Sequence, residues 1–266
     1  MSFAGTYPSY MPVERAAAAA TSPTAGGDLP VEKLGLVIPT FREAGNIGVV
    51  LDGVRASLEP TGICYEILVV DDDSRDGTAE MVAAIAAIDP RVRLLVRQGR
   101  RGLSGAIQHG WRHSDATILG VMDADLQHPP GLLPEMLRAM AAGSDLVIGS
   151  RYAPGSRVGR WNPVRRLASE AAVWLTRPIQ PRGRKVLDPL SGYFLVRRGC
   201  VAEMQFVDRG FKLLLEILVR APIGHAAEIP FEFGRRQSGA SKASVQVAAE
   251  YAGLLVRLYV GRLVRG

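Results

Sequence analysis

The sequence predicts an α/β protein with a doubly wound, mainly parallel sheet, followed by an amphipathic C-terminal helix. Three observations carry this. From Leu34 onward, short apolar runs alternate with segments of helical period, the pattern of a parallel sheet covered by helices. Three of these runs lead directly into polar segments, Pro39 to Asn46, Asp71 to Thr78 and Asp123 to Pro130. No internal repeat or second linker interrupts the 266 residues, so one large domain with a tail accounts for them.

Residues 1–33 are rich in Ala, Pro, Gly, Ser and Thr, have no sustained period, and read as a disordered extension. Leu34-Gly35-Leu36-Val37-Ile38 is a buried-strand run ended by Pro39, and Ile47, Val50, Leu51 and Val54 then recur at helical spacing. Tyr65 to Val70 is a second buried strand, and Gly77-Thr78 opens a helix through Ile88. Val92 to Val96 reads as strand, Ala106 to His113 as helix, and Thr117 to Met122 as strand. Pro134 to Ala142 reads as helix and Leu146-Val147-Ile148 as strand. In such sheets ligands bind outside the carboxyl ends of the strands, which selects the three polar segments.

Hydrophobic residues at 47% and charged residues at 22% exclude a fully disordered chain, a collagen and a disulfide scaffold. The only cysteines, Cys64 and Cys200, make no framework; a reducing compartment is expected, with both thiols inert in or near the core. No apolar run approaches the roughly 18 residues of a spanning helix, and the N-terminus lacks a signal-peptide pattern. The net charge of +6 suggests an anionic partner. It is concentrated between Arg157 and Leu187, where Arg157, Arg160, Arg165, Arg166, Arg177, Arg182, Arg184 and Lys185 face one acid, Glu170. No nucleic-acid module's motif is present, so nucleic acid is not expected as a partner.

Asp71-Asp72-Asp73-Ser74 directly follows a strand. Adjacent carboxylates repel unless solvated, hydrogen-bonded, or facing a cation or sugar hydroxyls. A solvated turn bonding its own backbone and a phosphoacceptor pocket of the receiver type are both compatible with the run. Asp123-Ala124-Asp125 also follows a strand; in an extended segment residues two apart point the same way, which suits a hard divalent ion. Gln127 continues the spacing with an amide oxygen. His128 shapes the turn before Pro129-Pro130 more readily than it ligates, because hard oxygen sites do not need imidazole. Phosphate-binding, dinucleotide-binding and nucleophile-elbow glycine motifs are absent.

Val37-Ile38-Pro39-Thr40-Phe41-Arg42-Glu43-Ala44-Gly45-Asn46, the run from Val69 to Thr78, and Asp123-Ala124-Asp125-Leu126-Gln127-His128-Pro129-Pro130 together resemble family 2 glycosyltransferases. Among these the chain is most similar to dolichyl- or polyprenyl-phosphate mannose synthases. The resemblance continues through Gly149 to Tyr152, Asp188-Pro189-Leu190-Ser191-Gly192-Tyr193-Phe194, and Arg236 to Lys242. It implies a nucleotide-sugar-binding sheet of the glycosyltransferase A type, with a catalytic domain over 34–242. Pro39, Phe41 and Glu43 resemble the strip that holds the donor's base and ribose, and Val70 and Asp72 its continuation. Asp123, Ala124, Asp125 and Gln127 resemble the diphosphate site, with Asp123, Asp125 and Gln127 holding Mg²⁺ or Mn²⁺. Arg236 and Lys242 resemble a loop that grips phosphates, and Arg151, Arg165 and Ser169 fall where the family holds an acceptor lipid's phosphate. Phe41 stands where Tyr is common, and the Arg100-Arg101 pair has no counterpart in the pattern.

The implied reaction moves mannose from GDP-mannose to a polyprenyl monophosphate, with Asp125, Gln127 and Arg236 as catalytic residues. A single in-line displacement gives a β-linked product. UDP-glucose as donor, and a non-catalytic scaffold binding lipid or a partner, are the alternatives. The acceptor's tail requires a bilayer. Segment 243–266 carries apolar residues at Val245, Ala248, Ala249, Ala252, Leu255, Val256, Tyr259 and Leu263, with Arg257, Arg262 and Arg265 beside them. It reads as an interfacial helix, or as one packed on the protein's own core or on a membrane-protein partner. Peripheral attachment at the cytoplasmic face of a membrane is the expectation.

Overall fold

The computed structural model describes residues 32–99, 101–158, 163–181, 185–206, 212–234 and 245–265, with the side chains at 158, 163–166, 245–248 and 263–265 left aside. The expected disorder of the extension through residue 31, and the roles expected of Arg236 and Lys242, lie outside these residues. So does the Arg165 side chain.

The five expected apolar runs are strands: β1 (Lys33–Thr40), β2 (Cys64–Asp71), β3 (Val92–Val96), β4 (Ile118–Val121) and β5 (Leu146–Ser150). Between them lie α1 (Ile47–Leu58), α2 (Thr78–Ala86), α3 (Leu103–Arg112) and α4 (Leu133–Ala141). Then follow β6 (Arg157–Val158), α5 (Pro163–Thr176), β7 (Phe194–Arg197), α6 (Arg198–Val201), α7 (Leu213–Arg220), β8 (Ala226–Pro230), β9 (Glu232–Phe233) and α8 (Val245–Arg265). Ordered chain thus starts ahead of Leu34, and β1 runs through Pro39 rather than ending there.

A seven-stranded sheet has the order β3-β2-β1-β4-β7-β5-β8. Its pairs are parallel except at β7, which runs antiparallel to both β4 and β5. β6 and β9 form a separate parallel pair. Alternation of side chains along each strand sends apolar groups to both faces. Leu34, Leu36, Ile38, Ile67 and Val69 pack under α1 and α4 with Val50, Leu51, Met136 and Met140. Val37, Leu68 and Val70 pack on the other face with Ile107, Trp111, Leu214 and Ile217. Burying a side chain of this size contributes about 1.5–3 kcal/mol, so both faces need their helices.

The sheet opens at one place for a definable reason. The β1–β4 ladder runs from Leu34–Ile118 to Val37–Val121, and the Met122 N–H donates to the Val37 carbonyl at 3.1 Å. Pro39 has no N–H to extend it. The β1–β2 register continues to Thr40–Asp71, so the ends of β1 and β2 stay paired while the chain after β4 turns away.

Cys64 is exposed at the start of β2, not in the core, because it precedes the buried stretch by one position. Cys200 is half-buried against the core, and burial pushes its thiol pKa up.

Candidate active site

The three polar segments converge at the carboxyl ends of β1, β2 and β4. The Asp71 run is not a solvated turn. Asp71 is fully buried and accepts from the Thr40 hydroxyl at 2.9 Å, the Ser74 N–H at 2.8 Å and the Ser74 hydroxyl. Ser74 Oγ in turn accepts the Arg42 N–H at 2.8 Å, and Thr78 Oγ1 accepts the Glu43 N–H at 3.0 Å. These bonds brace the β1 and β2 loops against each other, which positions Phe41 and Glu43. Arg42, Asp73 and Arg75 have positive φ angles of 61°, 56° and 52°, conformations that non-glycine residues seldom adopt and that braced functional loops retain.

Asp72 is buried as well. Its carboxylate accepts from Arg97 Nε at 2.7 Å and from the Gly102 N–H at 2.9 Å, while Arg97 also donates to the Gly102 carbonyl at 3.0 Å. It therefore pins both ends of the turn between β3 and α3. Pro39 and Val70 lie side by side in the β1–β2 register.

The segment after β4 is a turn, not extended strand. Leu126 has φ 61°, so the two-residue alternation expected for Asp123, Asp125 and Gln127 breaks between Asp125 and Gln127. Asp123 is partly exposed, whereas Ala124, Asp125 and Gln127 are buried. Asp125 Oδ1 accepts the Gln127 N–H at 3.2 Å, and Gln127 Nε2 donates to the Gly234 carbonyl at 3.1 Å. Beneath the turn, His128 is buried with its ring stacked on Tyr193 at 5.1 Å and flanked edge-on by Phe231 and Phe233. Its Nδ1 accepts the Asp123 N–H at 3.2 Å, and burial lowers its pKa against the pull of Asp123 and Asp125. The neutral ring shapes the turn, as its sequence position suggested. Gly192 faces Asp123 so closely that a Cβ there would lie 2.9 Å from Asp123 Oδ2.

No group of three His, Cys, Asp or Glu side chains among the described residues forms a metal cage. The donors present suit a different arrangement. Two carboxylates and an amide oxygen, whose partner nitrogen is already committed to Gly234, fit a hard cation that completes its shell with phosphate oxygens and water.

Arg151 points at Asp188 rather than into solvent. Asp188 is fully buried and accepts the Arg151 N–H at 2.9 Å, Nε at 2.8 Å and Nη2 at 2.7 Å. Glu228 accepts the Asp188 and Leu187 N–H groups at 2.9 and 2.7 Å, and burial raises its pKa. Tyr152 and Ser169 share a 2.7 Å hydrogen bond that brings α5 to this loop. Arg165 lies one turn before Ser169 on the same helix. Sequence reading gave no role to Asp188, Gly234 or Lys212. Lys212 precedes α7 and donates to the Leu190 carbonyl at 3.2 Å; burial lowers its pKa, Arg151 adds to this, and Asp123 and Asp188 oppose it. Lys212 lies in no motif of the sequence and Gly234 only precedes the one that opens at Arg236, so only the motif that begins at Asp188 was a signal.

This sheet and crevice define the class of A-type glycosyltransferase folds. The chain is similar to glucosyl-3-phosphoglycerate synthase from Mycobacterium tuberculosis in complex with phosphoglyceric acid, with a TM-score of 0.64 and 20% identity over 85% of this chain and 80% of that one. The same synthase in complex with Mn²⁺, UDP-glucose and phosphoglyceric acid gives 0.63 at 20% identity, over 85% and 79%. Residues 36–204 match glycosyl transferase family 2, and the chain belongs to that family. It is 38% identical to a dolichol-phosphate mannosyltransferase of Pyrococcus furiosus over 85% of its own length, spanning 63% of that relative. Enzymes of the same name from Mycosarcoma maydis and Saccharomyces cerevisiae are 36% and 34% identical, over 84% and 85% of this chain and 78% and 86% of theirs.

Proposed function

We propose that the chain transfers mannose from GDP-mannose to a polyprenyl monophosphate, with inversion, releasing GDP and a β-linked polyprenyl-phosphate mannose. The observation that carries this is the buried Asp125–Gln127 turn, fixed to Gly234 beside the joined ends of β1 and β2. The names of the relatives at 34–38% identity support the sugar and the lipid class. Pro39, Phe41, Glu43, Val70 and Asp72 form the base and ribose side, and Asp123, Ala124, Asp125 and Gln127 the diphosphate side. Asp125, Gln127 and Asp123 would hold Mg²⁺ or Mn²⁺, which supplies stabilisation of the charge that develops on the departing diphosphate. Arg236 and Lys242 add to that stabilisation.

The acceptor needs no strong base, because a phosphate monoester with a second pKa of about 6 is already anionic near neutral pH. Its oxygen needs aiming instead, and orientation is a large part of such rates. Arg165 and Ser169 on α5 contact the acceptor phosphate. Arg151, paired with the buried Asp188, orients the loop at the same end.

Attachment to a membrane surface is supported by the α5–α8 pair. Leu254, Leu255 and Leu258 of α8 pack on Ile179, Leu190 and Leu215, and the Tyr251 hydroxyl donates to the Ala172 carbonyl at 2.6 Å. The outer side of α8 still exposes Ala252, Val256 and Val260 at four-residue steps, and α5 exposes Leu167, Trp174 and Leu175. Arg177 and Arg257 lie beside these stripes. Such a surface suits a bilayer with anionic headgroups. Among the described residues no helix is long and apolar enough to cross a membrane.

Incubation with GDP-mannose or UDP-glucose, Mg²⁺ or Mn²⁺, and a polyprenyl phosphate, with the lipid identified by mass, tests the proposal. The expected product is the hexosyl-phosphate lipid from GDP-mannose. Transfer only from UDP-glucose would replace the donor, and no transfer from any donor would leave the scaffold reading.

A further inference from the structure

Beside the joined β1 and β2 loops lies an open cleft of about 640 Å³, lined by Arg42, Asp73, Ser74, Arg75, Asp76 and Arg101. Its carboxylates are committed. Asp73 pairs with Arg75 at 3.0 Å, and Asp76 accepts from Thr78 and from the Ala44 N–H. Its other two guanidinium groups are not. Arg42 and Arg101 have no carboxylate partner among the described residues; both instead lie over the Phe41 ring, at 5.2 and 4.4 Å from its centroid. Arg101 is set in a turn whose two ends, Arg97 and Gly102, are both bound to the Asp72 carboxylate. An exposed arginine on an unbraced loop would sample many positions. This one is anchored at its backbone by Asp72 and steered at its head by Phe41.

We infer that Arg101 selects the donor's base, its guanidinium fork reading the edge of a guanine. The inference rests on the proposed donor site, which puts the base at Phe41. The chemistry is specific. A guanidinium offers two parallel N–H donors, and guanine places two adjacent acceptors, O6 and N7, on one edge, which neither adenine nor uracil does. Adenine offers a donor beside N7, and uracil offers O4 beside a donor N–H. Phenylalanine in place of tyrosine fits this role, because the ring's task is to hold a guanidinium by its π-face, which needs no hydroxyl.

The test is equilibrium binding of GDP, 7-deaza-GDP and UDP to the full chain with Mn²⁺, comparing the wild type with Arg101→Ala and Arg101→Lys. Replacing N7 by carbon removes one of the two acceptors and leaves the diphosphate unchanged. In the wild type GDP should bind about 5- to 100-fold more tightly than 7-deaza-GDP. Arg101→Ala should bring that ratio close to one, and Arg101→Lys should lower it, because lysine keeps the charge and loses the planar fork. A wild-type ratio near one, or a ratio that survives in Arg101→Ala, overturns the inference while leaving the donor site standing. Failure of the wild type to bind any of the three nucleotides would instead overturn the donor site, and the inference with it. Circular dichroism of the variants checks that each is folded.

Discussion

Gln127 and Gly234 hold each other by two hydrogen bonds: the Gln127 side-chain amide donates to the Gly234 carbonyl at 3.1 Å, and the Gly234 N–H donates to the Gln127 carbonyl at 3.2 Å. The residue expected to meet the metal is thereby tied to the point where the chain departs towards Arg236. A Cβ on Gly234 would lie 2.9 Å from the Leu126 carbonyl oxygen, so no side chain fits without moving one of the two strands of this link. Gly234→Ala should cut kcat by about 10- to 100-fold, since a displacement of about 1 Å at a reacting centre has that scale of effect. Because the clash is with backbone, its melting temperature should fall too, so the kinetics are read well below that midpoint. Steady-state kinetics with wild-type turnover would refute the coupling.

Asp125→Asn should lower turnover by about 10²–10³ while leaving the fold intact. The Asp125 oxygen that accepts the Gln127 N–H has an equivalent in the asparagine amide, so the turn persists and only the charge is lost. Assays at saturating Mn²⁺ that return activity within a few-fold of wild type would remove Asp125 from the diphosphate site.

Removing α8 is a poor probe of membrane binding, because Leu254, Leu255 and Leu258 are part of the core. Changing its outer stripe is a better one. Val256→Asp with Val260→Asp, or Trp174→Ser alone, should reduce sedimentation with anionic vesicles several-fold. Each lost apolar contact with the interface removes about 1–2 kcal/mol of burial. Melting temperatures should stay near wild type, as these side chains are exposed. Unchanged sedimentation would point the stripe at another partner.

Asp89 gives a prediction about acid stability. The Arg91 guanidinium, bonded at 2.9 and 2.8 Å, lowers the Asp89 pKa to about 2 against burial, which pushes it up. An unfolded aspartate titrates near about 3.9, so the folded state binds its proton less readily. The resulting stabilisation, about 1–2 kcal/mol, is fully present above roughly pH 4–5 and lost as pH falls through about 2. Asp89→Asn should therefore be less stable than wild type at pH 7, with the gap closing between about pH 4 and 2. Urea unfolding at several pH values measures this, and a gap independent of pH would contradict it.

Much of this was legible in the sequence because it is local. The five strands through Ser150 each carry an apolar run long enough to identify them, and the motif around Asp125 announces itself by following one. The direction of β7 was not legible: four residues, Phe194–Arg197, say nothing about which strands they enter or which way they run. Pairings across long separations were equally hidden, since nothing near Arg151 indicates that Asp188 will neutralise it, or near Gln127 that Gly234 will hold it. The left-handed Leu126 was missed for the opposite reason: leucine rarely adopts that conformation, so extended geometry was the natural reading of Asp-x-Asp-x-Gln.

The antiparallel strand β7 also bears on how the protein is made. It separates β4 from β5, although these are consecutive strands of the chain, and it begins 44 residues after β5 ends. During synthesis β4 and β5 must therefore remain apart, or part again, until Phe194–Arg197 emerges to fill the gap. Until then β4 presents an open hydrogen-bonding edge, which other chains can pair with. The half-sheet of β1, β2 and β3 closes on itself far earlier, from local crossovers. Pulse-labelled hydrogen exchange should find β1–β3 amides protected first and those of β4, β5 and β7 protected together in a later phase; simultaneous protection of β3 and β7 would exclude this order.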